Sequence, residues 1–329
     1  MIFSETKLGS FVQKMNDLGR NRIPFLFLID FEMEKPVMIP LSEVDEQKIK
    51  FKFENINNYH LTAAPSLPPI NFEKSPMPLE EYRVAFEYVQ KELNYGNSFL
   101  TNLTFPTPIK TNYSLLQLFN KSRAKYKLYY KDEFIVFSPE AFIKIKDGII
   151  SSHPMKGTIE ADIPNAKEIL MADKKELAEH YTIVDLIRND LGIVSEQVNV
   201  VSFRYLDLIK TIDKRLYQTS SHIEGKMPAD FHENLGDILI ALLPAGSISG
   251  APKKKTVDII QAAEKTKRGY YSGIMGHFDG KNLDSAVMIR YIEQTEDQLY
   301  FRSGCGITAL SDCEAEYREM IDKVYVPIG

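Results

Sequence analysis

The segment around Lys156 contains the residue whose position most suggests chemistry. Lys156 lies between Pro154 and Gly157, just after an apolar alternating run that predicts a strand ending near Ser152. Proline fixes one backbone angle and lacks an N–H donor, whereas glycine permits conformations that other residues avoid. Flanking residues of this kind hold a side chain in one place. The sequence therefore admits two interpretations of Lys156: a solvated lysine at a strand end, or a nucleophile or anion ligand.

Two predicted helices each carry a pair of glutamates three residues apart, which places both on one helix face. The first helix carries Glu176 and Glu179. The last helix carries Glu316 and Glu319, with Lys323 four residues beyond Glu319. Either pair alone is typical of a solvated acidic face, whereas both together suggest a hard-oxygen site for a cation such as Mg²⁺.

The start of the last helix has its own signal. Ser311 and Glu314 have the S-x-x-E spacing of a capping box. We therefore expect Glu314 to serve the helix start, and Glu314→Gln to cost about 1 kcal/mol of stability or less.

An arginine and a turn glutamate are the other charged candidates. Arg290 ends the apolar run 286–289, and its planar guanidinium suits a carboxylate partner. Glu140 follows a proline between two predicted strands, where a plain turn residue is the simpler interpretation. With the lysine and the glutamate pairs, these residues suggest an enzyme that acts on a small carboxylate with a divalent cation.

Two glycine-containing loops are the remaining candidates for ligand binding. The loop 242–256 lacks the G-x-x-x-x-G-K-[ST] spacing of a phosphate loop, so nucleotide binding there is rejected. Its turn into a helix still offers backbone N–H groups to an anion, although a tight turn alone would explain it. In the loop 302–308, Gly304 and Gly306 permit either close approach of a ligand or a bulge.

The elements that position these residues alternate between strand-rich and helical stretches. Helices are expected from Pro78 to Gly96, with Tyr82, Ala85, Phe86, Val89 and Leu93 on one face, and over residues 165–190, Asp230–Leu243, Pro252–Lys267 and Asp312–Val324. Residues 270–303 alternate as paired strands around an Asp279-Gly280 turn, and the proline-rich stretch 62–78 predicts a linker or an extended edge segment. This order favours an α+β fold with largely antiparallel sheets.

Composition limits the class of protein. The 329 residues are 44% hydrophobic and 26% charged, which is enough to bury a large core. The formal net charge of 40 − 45 = −5 gives no basic surface for nucleic acid, and no apolar run approaches the roughly 20 residues that span a bilayer. Two cysteines form neither a disulfide framework nor a zinc set. We expect a cytoplasmic protein, without a signal peptide, that binds neither nucleic acid nor membranes.

Eight segments, in their order along the chain, resemble motifs of the chorismate-utilising enzymes. They are SPE (138–140), PMKGT (154–158), KELAEH (175–180), DLIRNDLG (185–192), PAGSISGAPK (244–253), RGYYSG (268–273), IR (289–290) and SGCGITALSDCEAEYREMIDK (303–323). The resemblance implies two large antiparallel sheets packed face to face, with helices outside and the active site between the sheets. It implies one catalytic domain over 1–329, in which a shortened N-terminal part, 1–75, completes the sheets and 76–329 carry the motifs.

Within this family the chain most resembles the aminodeoxychorismate synthases, because a lysine at the Lys156 position is typical of them and an alanine is typical of anthranilate and isochorismate synthases. The resemblance implies that neutral Lys156 attacks C2 of chorismate while Glu140 protonates the departing C4 hydroxyl. Ammonia then enters at C4 and expels the lysine, which gives 4-amino-4-deoxychorismate for para-aminobenzoate and folate synthesis. Free ammonia or a separate glutamine amidotransferase subunit would supply the nitrogen, since no Cys-His glutaminase segment is visible in the sequence.

The resemblance also implies binding roles. The two glutamate pairs would hold Mg²⁺ against the ring carboxylate of chorismate. The enolpyruvyl carboxylate would be held by Tyr271, Arg290 and the backbone at Gly304 and Gly306. The other substrate-binding candidates are Thr158, Ser247 and Lys323.

Some positions depart from particular members of the family. Leu100 stands where isochorismate-forming members carry a lysine base, and the absence of that base argues against water activation at C2. Gln218 stands where anthranilate synthases have a histidine tied to pyruvate elimination, Ile159-Glu160 replaces an arginine-rich turn, and Ser247 keeps the hydroxyl of a family threonine. Two alternatives stay open: the large subunit of an anthranilate synthase, and a non-catalytic chorismate-binding subunit.

Overall fold

The helices are described in a computed structural model that covers residues 7–54, 56–60, 68–210, 215–296 and 298–328. In these ranges the helices are α1 (Lys7–Arg20), α2 (Leu79–Asn94), α3 (Leu115–Lys121), α4 (Ala166–Ala172), α5 (Lys174–Val194), α6 (Leu235–Leu242), α7 (Gly246–Ser249), α8 (Lys253–Glu264) and α9 (Cys313–Asp322). Two 3₁₀ turns span Leu41–Glu43 and Phe231–Asn234. None of the helices in the described ranges is both long and apolar enough to cross a bilayer.

The strands form two large antiparallel sheets, which confirms the predicted α+β class. In chain order the strands are β1 (Phe25–Ile29), β2 (Val37–Pro40), β3 (Ile49–Phe53), β4 (Ile56–Asn57), β5 (Phe72–Lys74), β6 (Leu100–Thr111), β7 (Tyr126–Tyr130), β8 (Phe134–Ser138), β9 (Ala141–Lys146), β10 (Ile149–Ser152), β11 (Met155–Glu160), β12 (Glu196–Lys210), β13 (Arg215–Lys226), β14 (Gly250–Ala251), β15 (Ile274–Phe278), β16 (Leu283–Val287), β17 (Tyr291–Thr295) and β18 (Gln298–Ile307). One sheet has the order β11-β13-β10-β9-β16-β15-β1-β2, with β12 paired to β13. The other has the order β14-β6-β18-β17-β8-β7-β3-β4, with β5 paired to β6.

The chain divides into two compact units, each assembled from three separate segments. Unit 1 comprises Met1–Phe25, Ala141–Ser247 and His277–Ser285, and unit 2 comprises Leu26–Glu140, Ile248–Gly276 and Ala286–Gly329. The prediction of one catalytic domain, with residues 1–75 as a shortened N-terminal part, stays a prediction.

Helix α2 forms where the sequence predicts it. All five residues of its predicted apolar face are buried, namely Tyr82, Ala85, Phe86, Val89 and Leu93. They pack in one core cluster with residues of β6, β18, α8 and α9. The chain leaves the helix through Gly96, whose φ of +79° favours glycine. A 3.6-residue apolar period was therefore sufficient to place this element.

Other helix ends differ from the prediction. Residues 165–190 form two helices, because Asp173 ends α4 and its side chain accepts the backbone N–H of Glu176 as the N-cap of α5. Helix α8 stops at Glu264 instead of Lys267, since Lys265 takes a left-handed conformation with φ +57°. The predicted helix at Asp230–Leu243 begins with a 3₁₀ turn and becomes α-helical only at Leu235.

Several elements were missing from the sequence prediction or only partly foreseen. Helix α1 and the long antiparallel pair β12–β13 had no predicted counterpart. Within the proline-rich stretch 62–78, residues 62–67 lie outside the described residues. Residues Phe72–Lys74 form a short strand beside β6, which confirms the edge-strand interpretation for that part.

Unit 2 buries one lysine away from every predicted site residue. Lys127 Nζ donates to the carbonyl of Ser122 at 2.9 Å and lies 4.3 Å from the ring centroid of Phe119 and 5.4 Å from that of Tyr59. Burial, with the nearby charge of Lys52, lowers the pKa of Lys127 to about 8. The cation is thus held by one carbonyl and two aromatic faces.

This environment predicts a pH dependence of stability. Between pH 8 and about 10.5 the unfolded chain keeps the Lys127 proton and the folded chain has lost it, so the free energy of unfolding should rise with pH by at most about 1.4 kcal/mol per pH unit from this group. Below pH 8 both states are protonated and its contribution is constant. Urea unfolding of Lys127→Met across this range should show a shallower rise than the parent protein. Identical slopes would contradict the assignment.

Candidate active site

The Lys156 segment is fixed by its strand neighbours. Strands β10 and β11 lie end to end along one edge of β13, with Ser152 opposite Ile223 and Met155 opposite Ser220. Pro154 lies in the gap between them, and its carbonyl accepts the N–H of Ser221 at 3.0 Å. Lys156 pairs with Thr219, whose hydroxyl also donates to the Lys156 carbonyl. The backbone of Lys156 is therefore held in place on the side of Pro154, as predicted.

Gly157 fixes the other side of the lysine. It has a φ of +77°, and the ladder shifts register between Lys156 and Thr158. A Cβ at this position would lie 2.9 Å from Glu176 Oε2, closer than such atoms approach. The left-handed backbone favours glycine here, and the absence of a Cβ lets the Glu176 carboxylate lie against it.

Lys156 is paired with a carboxylate of helix α5. Its Nζ lies 3.0 Å from Glu179 Oε2, and the two side chains are 22% and 12% exposed. The interpretation of Lys156 as a solvated strand-end lysine is therefore wrong. Within unit 1 the structure brings together Lys156 and both glutamates of the first predicted pair, since Glu176 lies against Gly157.

Three functional candidates next to this cluster were missed by the sequence reasoning. Thr219 and Ser221 are buried on β13, and His180 is buried on α5 with its Nε2 2.6 Å from Ser221 Oγ. Burial, together with the charges of Arg204 and Lys156, lowers the pKa of His180 to about 4, so its imidazole is neutral near pH 7. The available signal was the run QTSSH at 218–222, which places two hydroxyls two residues apart on a strand.

Thr158, Gln218 and Ser247 also belong to unit 1. Thr158 is exposed and lies directly opposite Gln218 in the ladder, one step beyond Lys156. Ser247 is half-buried in the short helix α7, next to Gly246. A Cβ on Gly246 would lie 2.6 Å from Leu186 Cδ2, so Leu186 of α5 packs closely against this glycine.

In unit 2, helix α9 and strand β18 bring together part of the second predicted cluster. Lys323 Nζ lies 2.7 Å from Glu319 Oε1 and donates to the Gly304 carbonyl at 2.9 Å. Glu316 is buried, and its backbone carbonyl accepts the thiol of Cys305 at 3.3 Å. Glu319, Lys323 and Gly304 therefore form one contact group.

The glycines of β18 do not form the bulge that the sequence left open. Residues Leu299–Ile307 pair in unbroken register with Ile109–Thr101 of β6. A Cβ at Gly304 would lie 2.4 Å from the Leu103 carbonyl oxygen, so the neighbouring strand itself requires glycine there. Gly306 pairs with Asn102 in the same ladder.

The predicted capping box at Ser311 and Glu314 is wrong. Asp312 is the N-cap of α9, and its side chain accepts the N–H of Ala315 at 2.9 Å. Ser311 instead accepts the N–H of Thr308 within the preceding turn, so the helix begins one residue later. Glu314 is exposed and pairs with Arg318 at 3.3 Å.

Tyr271 and Arg290 lie in unit 2, and both are suited to an anion. Burial raises the pKa of Tyr271 to about 12, so the phenol stays protonated and able to donate. Arg290 has a φ of +52°, and its guanidinium lies 5.2 Å from the ring centroid of Tyr325. Within the described part of the chain it forms no ion pair with a carboxylate, although its sequence position suggested one.

Glu140 and Leu100 are the remaining predicted positions. Glu140 is half-buried, and its backbone is fixed at both groups: its N–H donates to Ser138 Oγ at 3.1 Å and its carbonyl accepts the N–H of Val287 at 3.2 Å. Leu100 is buried at the start of β6, opposite Ala251. An apolar side chain thus occupies the position where a lysine base was considered.

The predicted metal site is not preassembled within either unit. In the described ranges no three His, Cys, Asp or Glu side chains converge closely enough to hold a metal ion. The donor chemistry nevertheless fits Mg²⁺, because each pair places carboxylate oxygens on one helix face. In both pairs one glutamate is bound to a lysine, Glu179 to Lys156 and Glu319 to Lys323.

Comparison with known proteins gives a family match over most of the chain. The model of the chorismate binding enzymes matches residues 32–329. The chain is 51% identical over 325 residues to an uncharacterised PabA-like protein of Haemophilus influenzae, covering 99% of this chain and 98% of that one. It is 33% identical to aminodeoxychorismate synthase component 1 of Klebsiella aerogenes (75% of this chain, 57% of that one). It is 32% identical to anthranilate synthase component 1 of Bacillus subtilis (85% and 55%).

Solved structures agree on the fold. The menaquinone-specific isochorismate synthase MenF of Escherichia coli aligns with a TM-score of 0.71 and 16% identity, covering 95% of this chain and 79% of that one. A Bacillus anthracis protein described as a 2,3-dihydroxybenzoate-specific isochorismate synthase aligns with a TM-score of 0.73 and 20% identity, covering 97% and 88%. At these identities the similarity shows the fold alone.

Proposed function

The chain belongs to the family of chorismate binding enzymes, and on this premise we propose that it aminates chorismate at C4 to give 4-amino-4-deoxychorismate. One observation carries the proposal: Lys156 is a half-buried amine on a fixed backbone, 3.0 Å from a carboxylate. This placement suits a nucleophile, because a solvated lysine would gain nothing from the restrained strand and the glycine beside it. The relative from Klebsiella aerogenes supports the same reaction.

The first half of the proposed reaction uses Lys156 and Glu140. The neutral amine of Lys156 attacks C2 of chorismate, the two conjugated ring double bonds each shift one position toward C4, and the C–O bond at C4 breaks. Glu140 gives its proton to the departing hydroxyl, which leaves as water instead of as hydroxide. The fixed backbone of Glu140 supports this role, since a general acid must reach the leaving oxygen.

The second half releases the lysine. Ammonia forms a bond to C4, the two double bonds shift back to their original positions, and the C2–N bond to Lys156 breaks. The net change is chorismate plus ammonia to 4-amino-4-deoxychorismate plus water. We propose free ammonia or a glutamine amidotransferase subunit as the nitrogen source.

Lys156 must lose a proton before it attacks. Its partner Glu179 stabilises the charged ammonium, so the ion pair has to loosen when substrate binds. We propose that this proton passes to Glu179 Oε2, which lies within hydrogen-bond distance of Nζ. Arg290 and Tyr271 are proposed to hold the enolpyruvyl carboxylate as an ion-pair partner and a hydrogen-bond donor.

The residues proposed to hold Mg²⁺ are Glu176, Glu179, Glu316 and Glu319. When bound, Mg²⁺ would neutralise the ring carboxylate of chorismate. Glu179→Gln and Glu319→Gln should each raise the Mg²⁺ concentration for half-maximal activity by roughly 10-fold or more, because losing a ligating carboxylate should cost at least as much as losing an outer-shell partner of a ligand. Glu314→Gln is the matched control, because Glu314 lies on the same helix as Glu319 but pairs with Arg318. A Mg²⁺ requirement that rises equally in all three variants would contradict the assignment.

The product decides between this function and its alternatives. The purified chain is incubated with chorismate, excess ammonia and Mg²⁺, and the product is identified by mass spectrometry with and without an added aminodeoxychorismate lyase. We expect 4-amino-4-deoxychorismate, which becomes para-aminobenzoate only with the lyase. Anthranilate fluorescence without a lyase would establish the anthranilate synthase alternative, which the Bacillus subtilis relative favours. Unconsumed chorismate would favour a non-catalytic subunit.

A further inference from the structure

We propose that the hydroxyls of Thr219 and Ser221, on one face of β13, set the contact between Lys156 and Glu179, and that His180 is a positioning residue in this arrangement. The inference rests on the proposed function for the role of Lys156 as nucleophile. The geometry that it uses belongs entirely to unit 1.

Thr219 holds the lysine. It lies directly opposite Lys156 in the antiparallel ladder, and its side-chain hydroxyl donates to the Lys156 carbonyl. Two residues further along β13, the backbone N–H of Ser221 donates to the carbonyl of Pro154 at 3.0 Å. The strand segment that presents Lys156 is therefore attached to β13 by a side chain as well as by the ladder.

Ser221 holds the helix that carries Glu179. Residues two apart on a strand point to the same face, so Ser221 shares the face of Thr219. Its Oγ lies 2.6 Å from Nε2 of His180, the residue directly after Glu179. Both partners of this hydrogen bond are buried, so water does not compete for it.

Arg204 extends the same network to helix α4. Its backbone N–H donates to Ser221 Oγ at 2.9 Å. Its buried guanidinium donates to the carbonyls of Leu170 and Met171 at 2.7 Å each, at the end of α4. One serine hydroxyl thus joins β12, β13 and α5, while Arg204 holds the preceding helix to the same point.

The arrangement matters because the contact between Lys156 and Glu179 tolerates little displacement of either residue. Lys156 and Glu179 are 3.0 Å apart, and a hydrogen bond weakens steeply once its donor and acceptor separate beyond the usual range of about 3.2 Å. A displacement of α5 by about 1 Å would therefore end the contact, and misplacement of a reacting group by this amount costs roughly 10²-fold in rate.

Ser220 offers a matched control in the same strand. It is as deeply buried as Ser221, and its hydroxyl donates to Asp207 Oδ2 at 2.7 Å. It points to the opposite face of β13, and within the described ranges its hydroxyl donates to Asp207 and not to α5. Ser220→Ala removes one partly buried hydrogen bond of the same strand and leaves the hydrogen bond between Ser221 and His180 in place.

The test compares Ser221→Ala, His180→Leu, their double variant and Ser220→Ala, each well below its own melting temperature. The first readout is the rate at which trinitrobenzenesulfonate modifies Lys156, followed by peptide mass mapping. The second is kcat and KM for chorismate. We expect Ser221→Ala and His180→Leu to speed modification of Lys156 by about fivefold, the equivalent of one net hydrogen bond to Glu179, and to lower kcat by roughly 10²-fold with a smaller change in KM.

The double variant should be no worse than Ser221→Ala, because both substitutions break the same His180–Ser221 hydrogen bond and only Ser221→Ala also removes the acceptor of the Arg204 N–H. Ser220→Ala should stay near the parent in both readouts. The inference is overturned if Ser221→Ala behaves as Ser220→Ala, or if the two single effects multiply. If Ser221→Ala does not fold, His180→Gln against His180→Leu decides, since the glutamine amide can still reach Ser221 and should restore the parent values. A parent protein that never consumes chorismate refutes the proposed function, whereas the modification rates still test the positioning.

Discussion

Lys156→Ala should lower kcat for formation of 4-amino-4-deoxychorismate by about 10³-fold or more, because it removes the nucleophile. With chorismate and Mg²⁺ but no ammonia, the parent protein should gain the mass of a covalent adduct that maps to the peptide containing residues 153–158. Lys156→Ala should show no adduct. Direct attack of ammonia at C2 would remain open to this variant, with Gln218 limiting any later elimination.

Lys156→Arg separates nucleophilic catalysis from simple charge pairing. An arginine keeps the positive charge beside Glu179 and can retain the ion pair seen at 3.0 Å. A guanidinium stays protonated and cannot attack C2, so the variant should be nearly as inactive as Lys156→Ala. Lys146→Ala is the control, since Lys146 is an exposed lysine of unit 1 at the end of β9. An unmodified parent protein that still produces 4-amino-4-deoxychorismate with ammonia would refute covalent catalysis.

The largest expected effect on stability comes from the buried pair Glu264–Arg268. The two side chains are only 2% and 1% exposed and lie 2.6 Å apart. Arg268 also donates to the carbonyls of Ile248 and Asn102, and Glu264 accepts from both the N–H and the hydroxyl of Thr104. Arg268→Met should lower the free energy of unfolding by about 3–5 kcal/mol, because it leaves a buried carboxylate without its cation.

The same spacing on the surface supplies the control for this prediction. Glu314 and Arg318 are also four residues apart with glutamate first, but they are 54% and 75% exposed. Arg318→Met should cost about 0.5 kcal/mol or less. Urea unfolding at one pH measures both variants, and equal losses in the two would contradict a special role for burial.

Local features of the fold could be predicted from the sequence. Helix α2 follows from a single apolar period, and its end at Gly96 follows from the backbone freedom of glycine. The restriction of Lys156 follows from Pro154 and Gly157, whose effects depend on their own backbone angles. The pairing of Lys323 with Glu319 likewise follows from a four-residue spacing on one helix.

The sequence could not show which of two neighbouring residues serves as a helix N-cap. Ser311 and Asp312 both have the chemistry of an N-cap, and only the turn that engages Ser311 with Thr308 decides for Asp312. The same holds for Gly304, which the sequence presented as a site of ligand approach or a bulge. The carbonyl of Leu103 on the adjacent strand is what requires glycine there.

The sequence by itself determined the helix spacings of the glutamates and the backbone restriction at Lys156, because these features depend on only a few neighbouring positions. Only the tertiary structure decided what those residues touch. Thr219 reaches Lys156 across 63 residues, His180 reaches Ser221 across 41, and Glu264 reaches Thr104 across 160. Contacts at such separations depend on which strands pair and in which register, and a one-residue shift of register would turn Thr219 and Ser221 to the opposite face of β13.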